Sequence, residues 1–500
     1  LSTSAAAAVP DAARRSLLFS LMGRYGAAPL RLASTVVLAR LLAPEEFGAY
    51  AAALAAVQLA GVLAEIGATQ YLVQAREVTE AERRSVFGLA LTLGVLAAAV
   101  LAGIGLLAPP ALVAPEVGTV LAIAALGLVV QPAVAVLSAD LQRALRFGPI
   151  ALSGVAGAAT LAGVSVALAT LGAGAASIAI AGVVELLVVA AMLSRHARLP
   201  RPGFRGWRPV FGFGWAWSAI GGLRQAGDAL SRLAVGTLMG LGPLGVLSRA
   251  QVVVQVFDKA LMDAVTPVVL PALSAAQRAG RPLGPAYLRQ VACLAAVAWP
   301  FFAALALLAE PAVRLLLGPA WGEAVPVVRW LCLAGLFLPL SALVLPYLVA
   351  VGELRAWLPV QAGLQIGRLA LVVPAALVSL ELVAAVLALE AAAKGAAAQR
   401  LLSRHLDVAA RELGWVLARS IPAAGAVLLA VLGVMAVPAL RDGSAAVLLG
   451  SAALLAGPTW LLAVVLLRHP LAGEITRLRA MLAARLASRA ARATPQGTPP

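Results

Sequence analysis

The sequence predicts an all-α fold: a polytopic integral membrane protein with about fourteen transmembrane helices, arranged as two six-helix bundles plus two C-terminal helices. Three observations carry that prediction. Apolar residues fill 62% of the 500 positions and charged residues only 12%, with a mean hydropathy of +0.97; soluble domains run at roughly a quarter charged. Apolar windows recur from one end to the other, and fourteen spans of about 20 residues would occupy roughly 280 positions. The basic residues fall in alternate loops, as membrane topology requires. Soluble enzymes, coiled coils and disordered scaffolds are excluded.

The first span covers roughly 24–42 and is the most polar, with Arg31 and Arg40 inside or at its edge. The next covers 47–66. Windows at 85–108 and 117–138 follow, separated by the turn APPALVAPE, whose prolines cannot continue either helix. Residues 147–184 carry no charge and suit most of two spans, with LGAG at 171–174 between them. These six spans form a bundle over 1–193. A basic, Pro- and Gly-marked cytoplasmic linker, 194–209, divides it from a second bundle over 210–401. That bundle has spans near 210–237, 243–265, 287–309, 325–350, 357–377 and 379–401. Two more helices lie in 402–467, near 418–439 and 444–467. The basic tail, 468–500, includes EITRLRAMLAARLASRA, an amphipathic pattern with Ile475, Leu478, Met481, Leu482 and Leu486 against arginines.

Charge placement supports this order. With the N-terminus in the cytoplasm, alternate loops and both ends hold 28 of the 38 Lys and Arg, while the opposite loops hold only Arg314 and Arg441. Both termini are therefore expected on the cytoplasmic side, the N-terminus reading as a mature end rather than a cleaved signal. Spans 11 and 12, interrupted by Arg368, Glu381 and Glu390, are the least regular step. The formal charge of +16 is spread over loops and does not form one basic face, so nucleic acid is not an expected partner. Segments starting at 106 and 307 resemble one another at an offset near 200, and LLAPEEFGAY at 41–50 falls in the same place as LMGLGPLGVL at 238–247. Duplication of a six-span unit explains both, and a ligand site between such halves is a common transporter arrangement.

Cys293 and Cys332 fall inside predicted spans and read as small hydrophobes. The three histidines, His196, His405 and His469, sit at span edges away from carboxylate pairs, so neither a metal centre nor a His-based catalytic site is expected. No Walker-type motif points to ATP hydrolysis. No cofactor is implied, and directionality would come from proton or sodium coupling or from product removal.

The informative residues are charges within spans, each costing about 2.5–3.5 kcal/mol on insertion scales unless it faces a bundle interior or wet cavity. Arg224, Asp228 and Arg232 are spaced i, i+4, i+8, so one helical face carries a carboxylate between two guanidinium groups. Two roles are open for them: a self-neutralising triad that orders the bundle, or arginines that bind an anionic substrate while Asp228 positions, gates or couples through protonation. Arg31 has no opposite charge at i±4 and either pairs across helices with Glu65 or Glu185 or faces a polar cavity. Glu65, Glu185, Asp228 and Arg368 are the candidate coupling or gating residues, and Arg31, Arg224 and Arg232 the candidate substrate ligands. Asp258, Lys259 and Asp263 read as interfacial pairs.

The run ARLLAPEEFGAYAAALAAVQLAGVLAEIGATQYLVQAREVTEAERRSVFGLALTLG, the segment FGFGWAWSAIGGLRQAGDALSRLAVGTLMGLGPLGVLSRAQ and the segment LLAEPAVRLLLGPAWGEAVPVVRWLCLAGL resemble bacterial O-antigen and exopolysaccharide transporters. These belong to the multidrug/oligosaccharidyl-lipid/polysaccharide flippase superfamily, and the likeness covers roughly residues 16–465. It implies a two-bundle fold with a central cavity and alternating exposure. It further implies movement of undecaprenyl-pyrophosphate-linked sugar repeat units across the bacterial inner membrane, with membrane lipids and the polysaccharide polymerase and chain-length machinery as partners. The family's cationic cavity maps by position onto Arg31, Arg224 and Arg232, and its recurrent acidic position onto Asp228. The family often has Asn shortly before that Asp, where this chain has Ala226 and Gly227. Two other classes stay open: a drug or small-molecule exporter of the same fold, and an integral-membrane glycosyltransferase or polymerase. The arginines disfavour cationic cargo, and the short outer loops disfavour a glycosyltransferase.

Overall fold

In the computed structural model, residues 11–64, 71–73, 75, 77–205, 215–255, 280, 282–441, 443–473 and 476 are described. Among them every regular element is a helix. The main ones are α1 (Asp11–Leu41), α2 (Pro44–Ala64), α3 (Glu80–Leu107), α4 (Pro115–Arg143, with a break at Leu126), α5 (Phe147–Thr170), α6 (Ala176–Ser194), α7 (Trp215–Met239) and α8 (241–255). There follow α9 (Gly284–Leu307), α10 (Ala324–Gly335), α11 (Leu338–Val351), α12 (Leu354–Ala376), α13 (Leu380–Leu406), α14 (Ala410–Met435) and α15 (Ala445–Leu466). Eight are long and apolar enough to cross a bilayer, nine if α10 and α11, bent by 44° at their junction, count as one span. The helices α1, α2, α7 and α13 are as long and stand outside these eight, and α8 runs into residues outside the described set. Length and composition alone therefore do not fix the total of fourteen. The protein is an all-α, multi-pass membrane protein. The amphipathic tail pattern, Glu65, and the trio Asp258, Lys259 and Asp263 lie outside the described residues, Thr476 of the tail apart.

The chain divides into two compact units: residues 1–252, 316–327 and 354–386, and residues 253–315, 328–353 and 387–500. A reciprocal capping box opens α3, with Thr79 accepting from the Glu82 amide while the Glu82 carboxylate accepts from the Thr79 amide at 2.8 Å. Helix α1 packs along α5, and α7 lies against both α2 and α12. The buried core uses small residues such as Ala49, Ala53, Ala125 and Ala179, which lets the helices approach closely.

The closest approach falls where the internal repeat aligns. A Cβ at Gly48 of α2 would overlap the carbonyl of Leu241, and a Cβ at Gly245 of α8 would overlap the carbonyl of Pro44. Pro44 pairs with Leu241, and Gly48 with Gly245, at the same offset of 197 residues. The two repeat motifs therefore meet reciprocally, each glycine against the partner motif's opening backbone. Beside this crossing the Phe47 ring packs edge-on to Trp321 at 5.5 Å, and the Trp321 indole donates to the Ala39 carbonyl at 2.8 Å.

The second unit holds the bent pair. Its break leaves carbonyls that the helix cannot satisfy, and neighbouring side chains supply donors: Trp299 of α9 to Leu336 O at 2.8 Å, and Gln399 of α13 to Leu340 O at 2.7 Å. The buried rings of Tyr287 and Tyr347 meet edge-on at 5.0 Å beside them. Just past the end of α15, His469 is buried at 2% exposure. Its Nδ1 accepts the Leu471 amide at 3.2 Å, so the ring proton sits on Nε2 and points to Ser420 Oγ at 3.1 Å. Burial and the nearby Arg419 charge hold the His469 pKa below its usual 6.5. A depressed histidine stabilises nothing by being protonated. This contribution is complete above about pH 6.5, the unfolded value, and is lost as pH falls below it, because the unfolded chain then binds the extra proton. Thermal unfolding of the purified protein should shift down between about pH 6.5 and 5, and His469→Gln should flatten that slope. An unchanged slope in the variant would rule out His469 as its source.

Candidate functional site

The first unit gathers the intramembrane charges. On α7, Asp228 receives Arg224 Nη1 at 3.2 Å on one carboxylate oxygen and Arg368 Nη1 of α12 at 2.7 Å on the other. Exposure separates the two arginines: the Arg368 side chain is 5% exposed and that of Arg224 is 57%. The expected Arg224–Asp228–Arg232 triad is thus half formed. Arg224 and Arg232 stand the same one turn, about 40° around the helix, from Asp228, and Arg232 turns to other elements instead. Its guanidinium donates to Gln58 Oε1 of α2 at 3.3 Å and to Gln251 Oε1 of α8 at 3.4 Å. Gln225 adds a weak contact to the Gln58 carbonyl at 3.5 Å.

Arg31 of α1 pairs across helices with Glu185 of α6, one of the two partners its sequence context allowed. Its side chain remains 48% exposed while that of Glu185 is 16% exposed. Glu65, the other candidate, lies outside the described residues. Arg249 on α8 stacks over the Phe47 ring at 4.4 Å, a cation–π contact that partly offsets its charge.

Sequence reasoning missed the amides. Gln58, Gln251, Gln361 and Gln365 sit in otherwise apolar helices, and Gln361 and Gln365 are buried. A scan for charges passes over them, although a neutral amide within a span carries a comparable demand for partners. Gly227 shows their structural weight, because a Cβ there would overlap the Gln365 amide from α12. The residue before Asp228 has no side chain, and an amide from the neighbouring helix fills the space.

A family profile described as polysaccharide biosynthesis protein matches residues 37–326, more than half the chain. The chain belongs to this family. As a polysaccharide biosynthesis family member it is 29% identical over 350 residues to the succinoglycan biosynthesis transport protein ExoT of Rhizobium meliloti, covering 68% of this chain and 69% of that one. It is 25% identical over 316 residues to the lipopolysaccharide biosynthesis protein WzxC of Escherichia coli, covering 61% of this chain and 63% of the relative. Among solved structures, lipid II flippase MurJ in an inward closed conformation superposes with a TM-score of 0.71 at 13% identity, covering 90% of this chain and 99% of that one. An inward-facing multidrug MATE transporter gives 0.56 at 15% identity, covering 77% and 98%. At these identities the structural likenesses establish the fold. The family match runs from the end of α1 through α9, including Arg224, Asp228 and Arg232, and leaves Arg31, Arg368 and the helix of Arg368 outside.

Proposed function

We propose that this family member is a flippase: it moves a lipid-linked oligosaccharide with an anionic pyrophosphate headgroup from the inner to the outer leaflet of the bacterial inner membrane by alternating exposure. Charge carries the reading. Among the described residues of the first unit, Arg31, Arg224, Arg232, Arg249 and Arg368 stand within spans against Glu185 and Asp228, while Arg40 and Glu381 near span ends cancel, which leaves +3. Uncompensated charge at that depth costs about 2.5–3.5 kcal/mol per residue. An anionic headgroup of similar magnitude offsets it, and guanidinium forks match phosphate oxygens in geometry. The relatives, a succinoglycan biosynthesis transport protein and a lipopolysaccharide biosynthesis protein, support the same substrate class.

The arginines divide the task by exposure. Arg31 and Arg224 are the half-exposed groups that exchange a carboxylate for a phosphate; Arg232, held by amides, adds charge without a competing anion. Asp228 is the gating position, since it holds one exposed and one buried arginine at once. A proton or sodium ion neutralising it would release both, which is how coupling would act here. No bond is made or broken in this cycle, the lipid tail stays in the bilayer, and both termini lie in the cytoplasm. Polymerase and chain-length machinery would receive the product.

Binding tests the substrate class separately from transport. A pyrophosphate-linked oligosaccharide lipid should raise the thermal stability of the detergent-solubilised protein at concentrations where a neutral glycolipid with the same sugar does not. Arg232→Gln should weaken that binding about tenfold, which corresponds to ~1.4 kcal/mol. Equal stabilisation by the neutral lipid would remove the headgroup from the reading, and selective uptake of a fluorescent cation would favour the exporter alternative.

A further inference from the structure

The segment after α6, residues 195–205, reads in sequence as a connector. In the structure it is a pinned strap. Pro200 and Pro202 keep it out of helix, and four backbone hydrogen bonds fix it to the first unit. Arg83 donates to Arg198 O, Arg146 to His196 O at 3.2 Å, Ser85 to Arg205 O, and the Gly203 amide to Arg84 O at 3.0 Å. Arg83 is itself anchored by Asp140 at 2.6 Å. At the tightest point Gly203 lies against Gly88, where a Cβ would overlap its carbonyl.

Two properties of the strap are not explained by its role as a connection. Its backbone carbonyls are used for attachment, while the side chains of Arg195, Arg198, Arg201 and Arg205 are all exposed, with no acidic residue in the segment. Leu199 and Phe204, interleaved with these arginines, are also exposed, at 43% and 58%. Its depth is fixed by α3. That helix has 28 residues, about 42 Å, against a hydrocarbon core of about 30 Å. With the apolar end placed in the core, the excess of about 12 Å, about eight residues, falls at the charged start and takes in Glu80 to Phe87. The strap touches α3 at residues 83–88, at the inner edge of that excess, and so runs at the level of the lipid headgroups rather than out in the aqueous phase.

We propose that residues 195–205 form a docking surface for anionic phospholipid headgroups of the host bilayer, with the four arginines taking phosphates and Leu199 and Phe204 entering the interface beside them. Charge complementarity selects the occupant: four exposed cations and no anion, carried on a segment that leaves the turn at 195–197 and runs outside any helix from Arg198 to Phe204, match lipid phosphates. The pinned backbone lowers the cost of ordering, because the strap is already held in place before lipid arrives. This surface is separate from the intramembrane arginines and does not depend on their role.

The test is native mass spectrometry of the full chain released from nanodiscs of mixed phosphatidylglycerol and phosphatidylethanolamine. The wild type should retain phosphatidylglycerol in excess over its share of the bilayer. Arg198→Gln/Arg201→Gln/Arg205→Gln should lose at least half of that excess, and Phe204→Ser a smaller part. The charge-matched Arg400→Gln/Arg404→Gln/Arg411→Gln, in the other unit, should keep it. Unchanged retention in the strap variant, or equal loss in the control, would overturn the proposal. So would phosphatidylethanolamine retained as well as phosphatidylglycerol by the wild type. Circular dichroism and size-exclusion profiles matching wild type show that each variant is folded.

Discussion

Asp228→Asn should lower both flipping and folded-state stability, and adding Arg368→Met should restore the stability without restoring the flipping. Asp228 holds Arg368 at 2.7 Å, and that arginine is almost fully buried. Removing Asp228 takes a counter-ion from the buried Arg368; the Asp228 side chain is itself 34% exposed, so the cost falls below the about 3–5 kcal/mol typical of a fully buried pair, whereas replacing both with apolar groups is often neutral. Thermal unfolding reads the first effect. Flipping reads the second: the double variant removes the gating carboxylate and one positive charge, and transport should stay at least tenfold below wild type, about 1.4 kcal/mol or more in barrier. Recovery of transport in the double variant would reduce the pair to a structural staple. Failure to recover stability would mean that Arg368 is held mainly by its other contacts.

A comparable loss is expected from Gly48→Val and from Gly245→Val, for a different reason. Each places a side chain onto the backbone of the opposite repeat motif, so α2 and α8 must part at their shared end. Overpacking against backbone has no flexible side chain to absorb it. We expect the helix crossing to be lost and transport with it. Gly103→Ala and Gly163→Ala, where nothing lies within 4 Å, should be neutral or slightly stabilising.

Much of this architecture is legible in the sequence because membrane insertion imposes strong local rules. The all-α multi-pass class follows from apolar run length, and the alignment of 41–50 with 238–247 from simple self-comparison, while α3 starts at Glu80, five residues before its apolar window at 85–108. What is not legible is tertiary. Helical periodicity placed Arg224 and Arg232 on either side of Asp228, but which guanidinium completes the carboxylate is decided by α12, 140 residues away. Self-comparison aligned the two glycine motifs without revealing that they press on one another. The strap looked like a linker because its attachment runs through backbone carbonyls and a Gly–Gly contact, features that leave no side-chain signature. The amides around Arg232 escaped because neutrality hides them from a search for charge.

Leaflet-resolved flipping in reconstituted vesicles tests the central claim most directly. The purified protein is placed in liposomes with a defined pyrophosphate-linked oligosaccharide lipid, and the sugar reaching the opposite leaflet is measured with an impermeant probe. We expect protein-dependent flipping of this lipid, strongly reduced flipping of a neutral analogue with the same sugar and tail, and loss of the difference in Arg224→Gln/Arg232→Gln. Absence of flipping by folded protein, or equal flipping of charged and neutral lipids, would contradict the assignment of the intramembrane arginines to an anionic headgroup.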